Sequence, residues 1–506
     1  MADLLPEMIG KPQVPKMDAA EEDWEELYSS LISQMVPSRD EIVRATPAYR
    51  VLQCMARPLR VRGGELYALS CPTTRIASFW SHSWHGPTWF KILTLFAVKN
   101  GMAAAALSTT SAVLMGIVYS AGALPDFFGQ LGWCSCVAAI VYSCTFVFWQ
   151  SRQPVFVDRI CIPTYDETVK GEALISLGAF LKCADSMLVL WDPSFMDRLW
   201  CMFEVGAFLH SRQRGRKPLL TIRPTVLGPV VVAIVAEMVV INAVATLAWG
   251  WIGAPREFYL VVTAMCSVPM VLLIHVSRGY CRTVEKLQDD MAHFSIENLT
   301  SYCCTVDHKD PSTGDGMHCD RKIILQCIRT WFGTVQTFEQ RVQSEVLQLL
   351  VDQLSNEVFS YAQAVAITTP VCWGYLDFGF DWILRGNSST AVHNFMRGLT
   401  YMFAVSPTLL LLLFRLAYWV RRQRSLLLDP LVSLLVFLAG AVFFLVHSAY
   451  DVLLFTVIFP EMRILAGTIF SLPAFLVAVF VWRTIPPIAL RRSSEQVSRR
   501  PHAHAS

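Results

Sequence analysis

Residues 155–210 read VFVDRICIPTYDETVKGEALISLGAFLKCADSMLVLWDPSFMDRLWCMFEVGAFLH. A short apolar run, 155–157, ends in Asp158. A proline-bearing loop and a helix-like stretch over 170–183 follow. A second apolar run, 187–191, ends in Trp191, Asp192 and Pro193, and a second helix carries Trp200, Cys201 and Glu204. Strand, loop, helix, strand, loop, helix predicts a parallel sheet with crossover helices. Ligands of such sheets gather at the carboxyl ends of the strands, where Asp158, Asp192 and Glu204 fall.

Most of the chain around this island is apolar. Of 506 residues, 54% are hydrophobic and only 16% charged, with a mean hydropathy of +0.43. A soluble chain is nearer a quarter charged, so the composition predicts an integral membrane protein in contact with a lipid bilayer. A net charge of +2 excludes an electrostatic nucleic-acid binder. The first residues carry an acidic run (Glu21, Glu22, Asp23, Glu25, Glu26) and no apolar core of signal-peptide length. Fifteen cysteines show no secreted-domain spacing, and reduced thiols are expected.

Residues 1–72 read as a polar arm, with Trp24, Leu27, Leu31 and Met35 at helical spacing. Strand-like residues 76–81 then lead through Ser83-Trp84-His85-Gly86-Pro87 into an apolar helix ending near Asn100. Apolar spans follow near 101–121, 131–149, 228–250, 258–276, 358–378, 398–420, 430–447 and 464–482, about eight crossings at ~20 residues each. The run 219–222 reads as one more strand. Residues 277–357 are polar again, and in them Phe338, Val342, Val346, Leu350 and Leu354 predict a long amphipathic helix. The polar segments 151–227 and 277–357, the turn at 421–424 and the tail 485–506 carry the cations, which places them and both termini on the cytosolic side. The sequon Asn387-Ser388-Ser389 then lies outside and is a glycosylation acceptor.

Phe156-Val-Asp158, Gly171-Glu172, Trp191-Asp-Pro-Ser-Phe195 and Trp200-Cys201-Met-Phe-Glu204 together resemble the middle of a Toll/interleukin receptor (TIR) domain. Ser83-Trp84-His85-Gly86 is similar to the motif that ends the first strand of plant-type members. The resemblance covers 73–100 and 154–223, and implies a cytosolic TIR-like α/β unit interrupted by a transmembrane hairpin at 101–150. The chain also looks like multi-pass membrane proteins of microalgae that share its Asp-Arg-x-Cys-Ile-Pro and Arg-Leu-Trp-Cys-x-Phe-Glu blocks.

The resemblance implies signalling or scaffolding by self-association. In the catalytic members it also implies cleavage of NAD, as substrate, at the nicotinamide–ribose bond. Glu204 matches their catalytic glutamate, and Trp84, Asp158, Asp192 and Trp200 would contact the nucleotide. A carboxylate suits that chemistry, because bond breaking passes through an oxocarbenium-like state. Arg198 stands where the family carries serine.

Two further groups invite chemistry. Cys303, Cys304, His308, His318 and Cys319 offer soft ligands of the kind zinc takes. Glu237 lies mid-span, and an intramembrane carboxylate is a functional candidate by its cost alone; it carries the alternative of a transporter or channel regulated by the α/β unit.

Overall fold

The structure, a computed structural model, describes residues 20–61, 66–125, 132–163, 166–212, 219–252, 255–309, 314, 316 and 318–488. The basic turn at 213–218, most of the loop at 310–317 and the basic tail beyond 488 lie outside the described residues.

The arm read as 1–72 is part of the fold from residue 20 on. Helix α1 (Ala20–Ser33) is followed by strand β1 (Arg44–Pro47), α2 (Ala48–Arg60) and the short strand β2 (Cys71–Pro72). Strand β3 (Ile76–His82) leads through Pro87 into α3 (Thr88–Ser120). After α4 (Trp133–Phe148) come β4 (Pro154–Phe156), the turn α5 (Asp158–Cys161), α6 (Glu167–Ile175), α7 (Leu177–Cys183), β5 (Ala184–Trp191), α8 (Leu199–His210) and β6 (Leu220–Pro224).

The six strands form one sheet in the order β2-β1-β4-β3-β5-β6. β4, β3, β5 and β6 are parallel, and β1 pairs antiparallel with β4 through Thr46↔Val155. Along the chain the parallel strands run second, first, third, fourth, the order of a doubly wound sheet. β3 connects to β4 on one side and β5 connects to β6 on the other, so the switch point lies between β3 and β5. β1 covers the β4 edge that would otherwise present unpaired backbone groups. Phe79 and Phe156 stack at 4.4 Å across the two central strands, and Phe180 of α7 packs on Phe156. α7 and α8 pack on one another and on β3.

The helix after β3 does not stop near Asn100. α3 is continuous for 33 residues, about 50 Å at 1.5 Å per residue, long enough to begin at the sheet and also cross a bilayer. Its run of apolar and small residues contains no proline to end it. It packs along α4 and, where Gly228 allows backbone contact at Thr94, along α9 (Leu227–Ile252).

α10 (Pro255–Ala292) leads into the polar segment, with the single turn α11 (Tyr302–Thr305) and α12 (Asp320–Phe332). The amphipathic helix predicted from the five apolar positions runs from α13 (Val335–Arg341) through α14 (Leu347–Val351) to Asn356. All five positions are buried. A strict four-residue repeat drifts about 40° per step on an α-helix. π-helical stretches at Val342–Val346 and Asp352–Asn356, with their wider turns, hold the row against the core.

The remaining helices are α15 (Tyr361–Thr368), α16 (Pro370–Leu384), α17 (Ser388–Thr400), α18 (Ser406–Trp419), α19 (Leu428–Leu453) and α20 (Arg463–Thr484). Among the described residues five helices are long and apolar enough to cross a membrane: Thr88–Ser120, Leu227–Val244, Ser388–Trp419, Leu428–Ile458 and Arg463–Thr484. The second has 18 residues in the described window, and the third joins α17 and α18 through a π-helical turn. α4, at 16 residues, is about 24 Å long and shorter than a bilayer's apolar core. The segment read as a span at 358–378 divides into α15 and α16 where Pro370 starts the second helix. Asp377 of α16 accepts from the Cys134 and Ser135 amides at 2.7 and 3.0 Å and so caps α4.

Candidate functional site

The carboxyl ends of β3 and β4 and the first turns of α8 enclose a cleft. It is lined by Trp80, His82, Ser83, Trp84, Phe156, Asp158, Arg198, Trp200, Cys201 and Glu204. Each strand delivers polar residues only after its apolar run is spent: Phe79 and Trp80 are buried before Ser81-His82-Ser83, and Val155 to Val157 before Asp158. α8 is buried on every side from Leu199 to Leu209, which fixes Glu204.

The polar contacts are specific. Ser81 donates its hydroxyl to Glu204 Oε2. Trp84 donates its indole N–H to Asp158 Oδ2 at 3.0 Å, and the Arg159 guanidinium lies 3.6 Å from the Trp84 ring centre. The His82 ring meets Trp84 edge-on at 4.2 Å. Trp200 donates to Asp320 Oδ2 at 3.2 Å, which ties the start of α8 to α12.

Burial dominates the electrostatics. It pushes the Glu204 carboxyl up to about 8, although the Ser81 hydrogen bond pulls the other way. Burial also pushes His82 down to about 4, against the pull of Asp158, so its imidazole is neutral at pH 7. The Cys201 thiol is driven well up by burial, which leaves it inert. Among the described residues, Nε1 of Trp80 and Nε2 of His82 are buried without a hydrogen-bond partner. Such groups are rare unless water or a ligand completes them. The enclosed space is about 20 Å3, roughly one water.

Glu204, Trp84, Asp158 and Trp200, named from the sequence as nucleotide contacts, therefore meet at one cleft. Asp192 does not join them. It lies at the end of β5, where its Oδ2 is 3.6 Å from Lys91 Nζ, both side chains being almost fully buried. Its Oδ1 accepts from the Ser194 amide and hydroxyl. Lys91 also donates to the Ser83 and Gly86 carbonyls. Asp192 thus braces the loop between β3 and α3. Lys91 went unmarked in the sequence, although a lone cation among Phe90, Ile92 and Leu93 needs a partner. Ser81 was legible only as a strand residue, and His82 fell between the strand-like run 76–81 and the motif that starts at Ser83.

Compared with protein-family models, curated proteins and solved structures, the chain matches none.

The second cluster draws in four of its five expected members. The ligand atoms of Cys303, Cys304, His308 and Cys319 lie within 4.8 Å of one another. His318 is not in that group; its ring packs edge-on against Tyr28 at 6.2 Å. Adjacent to Cys319, it leaves the backbone on the other side.

Glu237 is buried with neither carboxylate oxygen hydrogen-bonded among the described residues. Asn242 instead donates to the Pro370 carbonyl, and His275 Nδ1 lies 3.3 Å from Ser433 Oγ. Asn387 caps α17, accepting from the Thr390 amide at 3.1 Å. Arg415 and Asp429 are both buried. Asp429 pairs with Arg278 at 2.7 Å and Arg282 at 3.3 Å, and Arg415 donates to Asn356 Oδ1. Asp451, also buried, pairs with Arg397 at 2.5 Å.

Proposed function

We propose that the chain is a multi-pass membrane protein of about eight spans with a cytosolic TIR-like unit. That unit signals or scaffolds by self-association, and binds and cleaves NAD in the cleft at the carboxyl ends of β3 and β4. The observation that carries the reading is the meeting of Glu204, Asp158 and Trp84 at one cleft, at the end of the sheet where nucleotides bind in doubly wound folds. The parallel strands, and the Trp80 and His82 nitrogens that lack a partner among the described residues, support it. The positive-inside distribution supports eight spans with both termini cytosolic.

In this reading a ribose hydroxyl displaces Ser81 from Glu204, and the ionised carboxylate faces the anomeric carbon. The C–N bond breaks with its electron pair going to nicotinamide. Water adds to the oxocarbenium-like carbon, giving ADP-ribose and a proton. The cleft holds about one water as it stands, so substrate must part the Trp84–Arg159 stack from α8.

Full-length protein in nanodiscs, incubated with NAD, should release nicotinamide, and Glu204→Gln should abolish release. No release, or equal release from the variant, defeats the enzymatic reading. Sedimentation of the same sample then tests self-association. A glycosidase-sensitive mass shift lost in Asn387→Gln tests the orientation of the spans. The transporter alternative rests on Glu237, whose buried oxygens lack partners among the described residues. A cavity of about 270 Å3 between α9, α10, α15, α18 and α19 is lined almost wholly by aliphatic and aromatic side chains, and Glu237 is not among them. That lining offers a polar solute little to bind.

A further inference from the structure

We infer that Cys303, Cys304, His308 and Cys319 bind one zinc ion, and that this ion clips the segment carrying α11 and α12 onto the start of α8.

The donor set is three thiols and one imidazole, the mixture that closed structural zinc sites use. The spacing fits the ion. Zinc–sulfur bonds of about 2.3 Å in a tetrahedron put ligand atoms about 3.8 Å apart. Cys303 Sγ and Cys304 Sγ are 3.8 Å apart, and Cys304 Sγ and His308 Nε2 are 3.8 Å apart. All four ligand atoms fall within 4.8 Å of one another, and all three cysteines are free thiols. Cys303 and Cys319 are buried and Cys304 and His308 half-buried, so the site is largely closed to solvent.

The backbone is bent to make this set. Asp307 and His308 both adopt left-handed φ angles, of 52° and 56°. That conformation is uncommon for residues other than glycine, and two in succession call for a compensating interaction. The turn is closed by the His308 amide donating to the Cys303 carbonyl at 2.8 Å, and it brings the imidazole back over Cys304. Lys309 and Gly316 then form an antiparallel bridge, which returns the chain to Cys319. Cys319 is the residue before α12, a 13-residue helix. Ser301 Oγ lies 3.1 Å from Cys303 Sγ and orients it.

The clip has a target. Asp320, next to Cys319, accepts the Trp200 indole N–H. Thr300, three residues before Cys303, bridges Arg198, and its carbonyl accepts the Leu199 amide at 3.1 Å. Both anchors hold the turn of α8 that lines the Glu204 cleft. The zinc site stands independently of any activity at that cleft.

The test is metal content of full-length protein, purified in detergent without chelators. Roughly one zinc per chain is expected. In Cys304→Ser and His308→Ala it should fall about tenfold or more, and in His318→Ala it should not change. Should the serine variant fail to fold, His308→Ala carries the loss, and His308→Cys should keep the metal, since a fourth thiolate replaces the imidazole. Cobalt exchanged into the wild type should show thiolate charge transfer and the intense visible bands of a tetrahedral site, and zinc should shield Cys303 and Cys319 from alkylation. Absence of zinc from the wild type, zinc unchanged in both losing variants, or a disulfide among these cysteines found by mass spectrometry would each overturn the inference.

Discussion

Ser81, at the end of β3, donates its hydroxyl to Glu204 of α8, a residue 123 positions further along the chain. The contact is buried on both sides, and Glu204 meets it with a carboxyl raised to about 8 by burial. In the unfolded chain the same group ionises near its ordinary value of 4.5. Between those values the folded state holds a proton that the unfolded state has lost. Stability therefore falls as pH rises from about 4.5 to about 8. The Glu204→Gln variant should lose this slope, a difference of the order of a few kcal/mol across the window. Denaturation of wild type and variant at a series of pH values measures it. A slope equal in both would place the titration elsewhere.

The same value sets the pH profile of the proposed reaction. The carboxylate must be ionised to stabilise developing positive charge, so nicotinamide release should climb with pH and level off above about 8. Ser81→Ala removes a hydrogen bond that favours the charged form, and should move the climb to higher pH. An unmoved profile would separate Ser81 from the working state of Glu204.

The Lys91–Asp192 pair should behave as a buried ion pair. Lys91→Met or Asp192→Leu alone leaves an uncompensated charge and should cost about 3–5 kcal/mol. The double variant should recover a large part of that loss. Thermal unfolding of the four proteins in one detergent closes the cycle, and simple additivity would show that the two charges do not interact.

Gly86 lies against that pair. A Cβ built there falls 2.5 Å from Asp192 Oδ2. Gly86→Ala should push the carboxylate off Lys91 and lower stability by about 1–3 kcal/mol. In an Asp192→Ala background the same change should cost much less.

Under α8, Phe338 is fully buried, and a Cβ on Gly206 would stand 2.9 Å from its ring. Phe338→Ala should cost about 3–5 kcal/mol. Gly206→Ala should destabilise the wild type, and a smaller Leu at 338 should relieve part of that strain. If Phe338→Ala unfolds at the wild-type temperature, the amphipathic helix does not support α8.

Particular residues show how far periodicity and composition reach. The runs at 187–191 and 219–222 declare strands because they are short, apolar and bounded by turn residues, and β5 and β6 occupy them. The row from Phe338 to Leu354 declares one buried face, and the structure buries each member. The π-helical turns that keep the row aligned were not legible, because they answer to packing rather than to local propensity. β1 was missed for a similar reason. Arg-Ala-Thr-Pro is too short and too polar to signal a strand, and pairing with β4 is what makes it one.

By itself the amino-acid sequence determined that this chain alternates apolar helices with a small sheet unit whose four later strands are parallel; the antiparallel pairs of β1 that make the sheet mixed came only with the structure. The sequence also picked out Glu204, Asp158 and Trp84 as residues at strand ends or just past them. Those properties are local, set by hydrophobic period and by where apolar runs stop. Only the tertiary structure decided which residues meet. Asp192 turns to Lys91 because two opposite charges buried in one loop stabilise each other. His318 turns to Tyr28 while its neighbour Cys319 joins Cys303, Cys304 and His308. Ser81 finds Glu204 because β3 and α8 pack together. Contacts between residues a hundred or more positions apart depend on strand order and helix packing, and no periodicity along the chain encodes that distance.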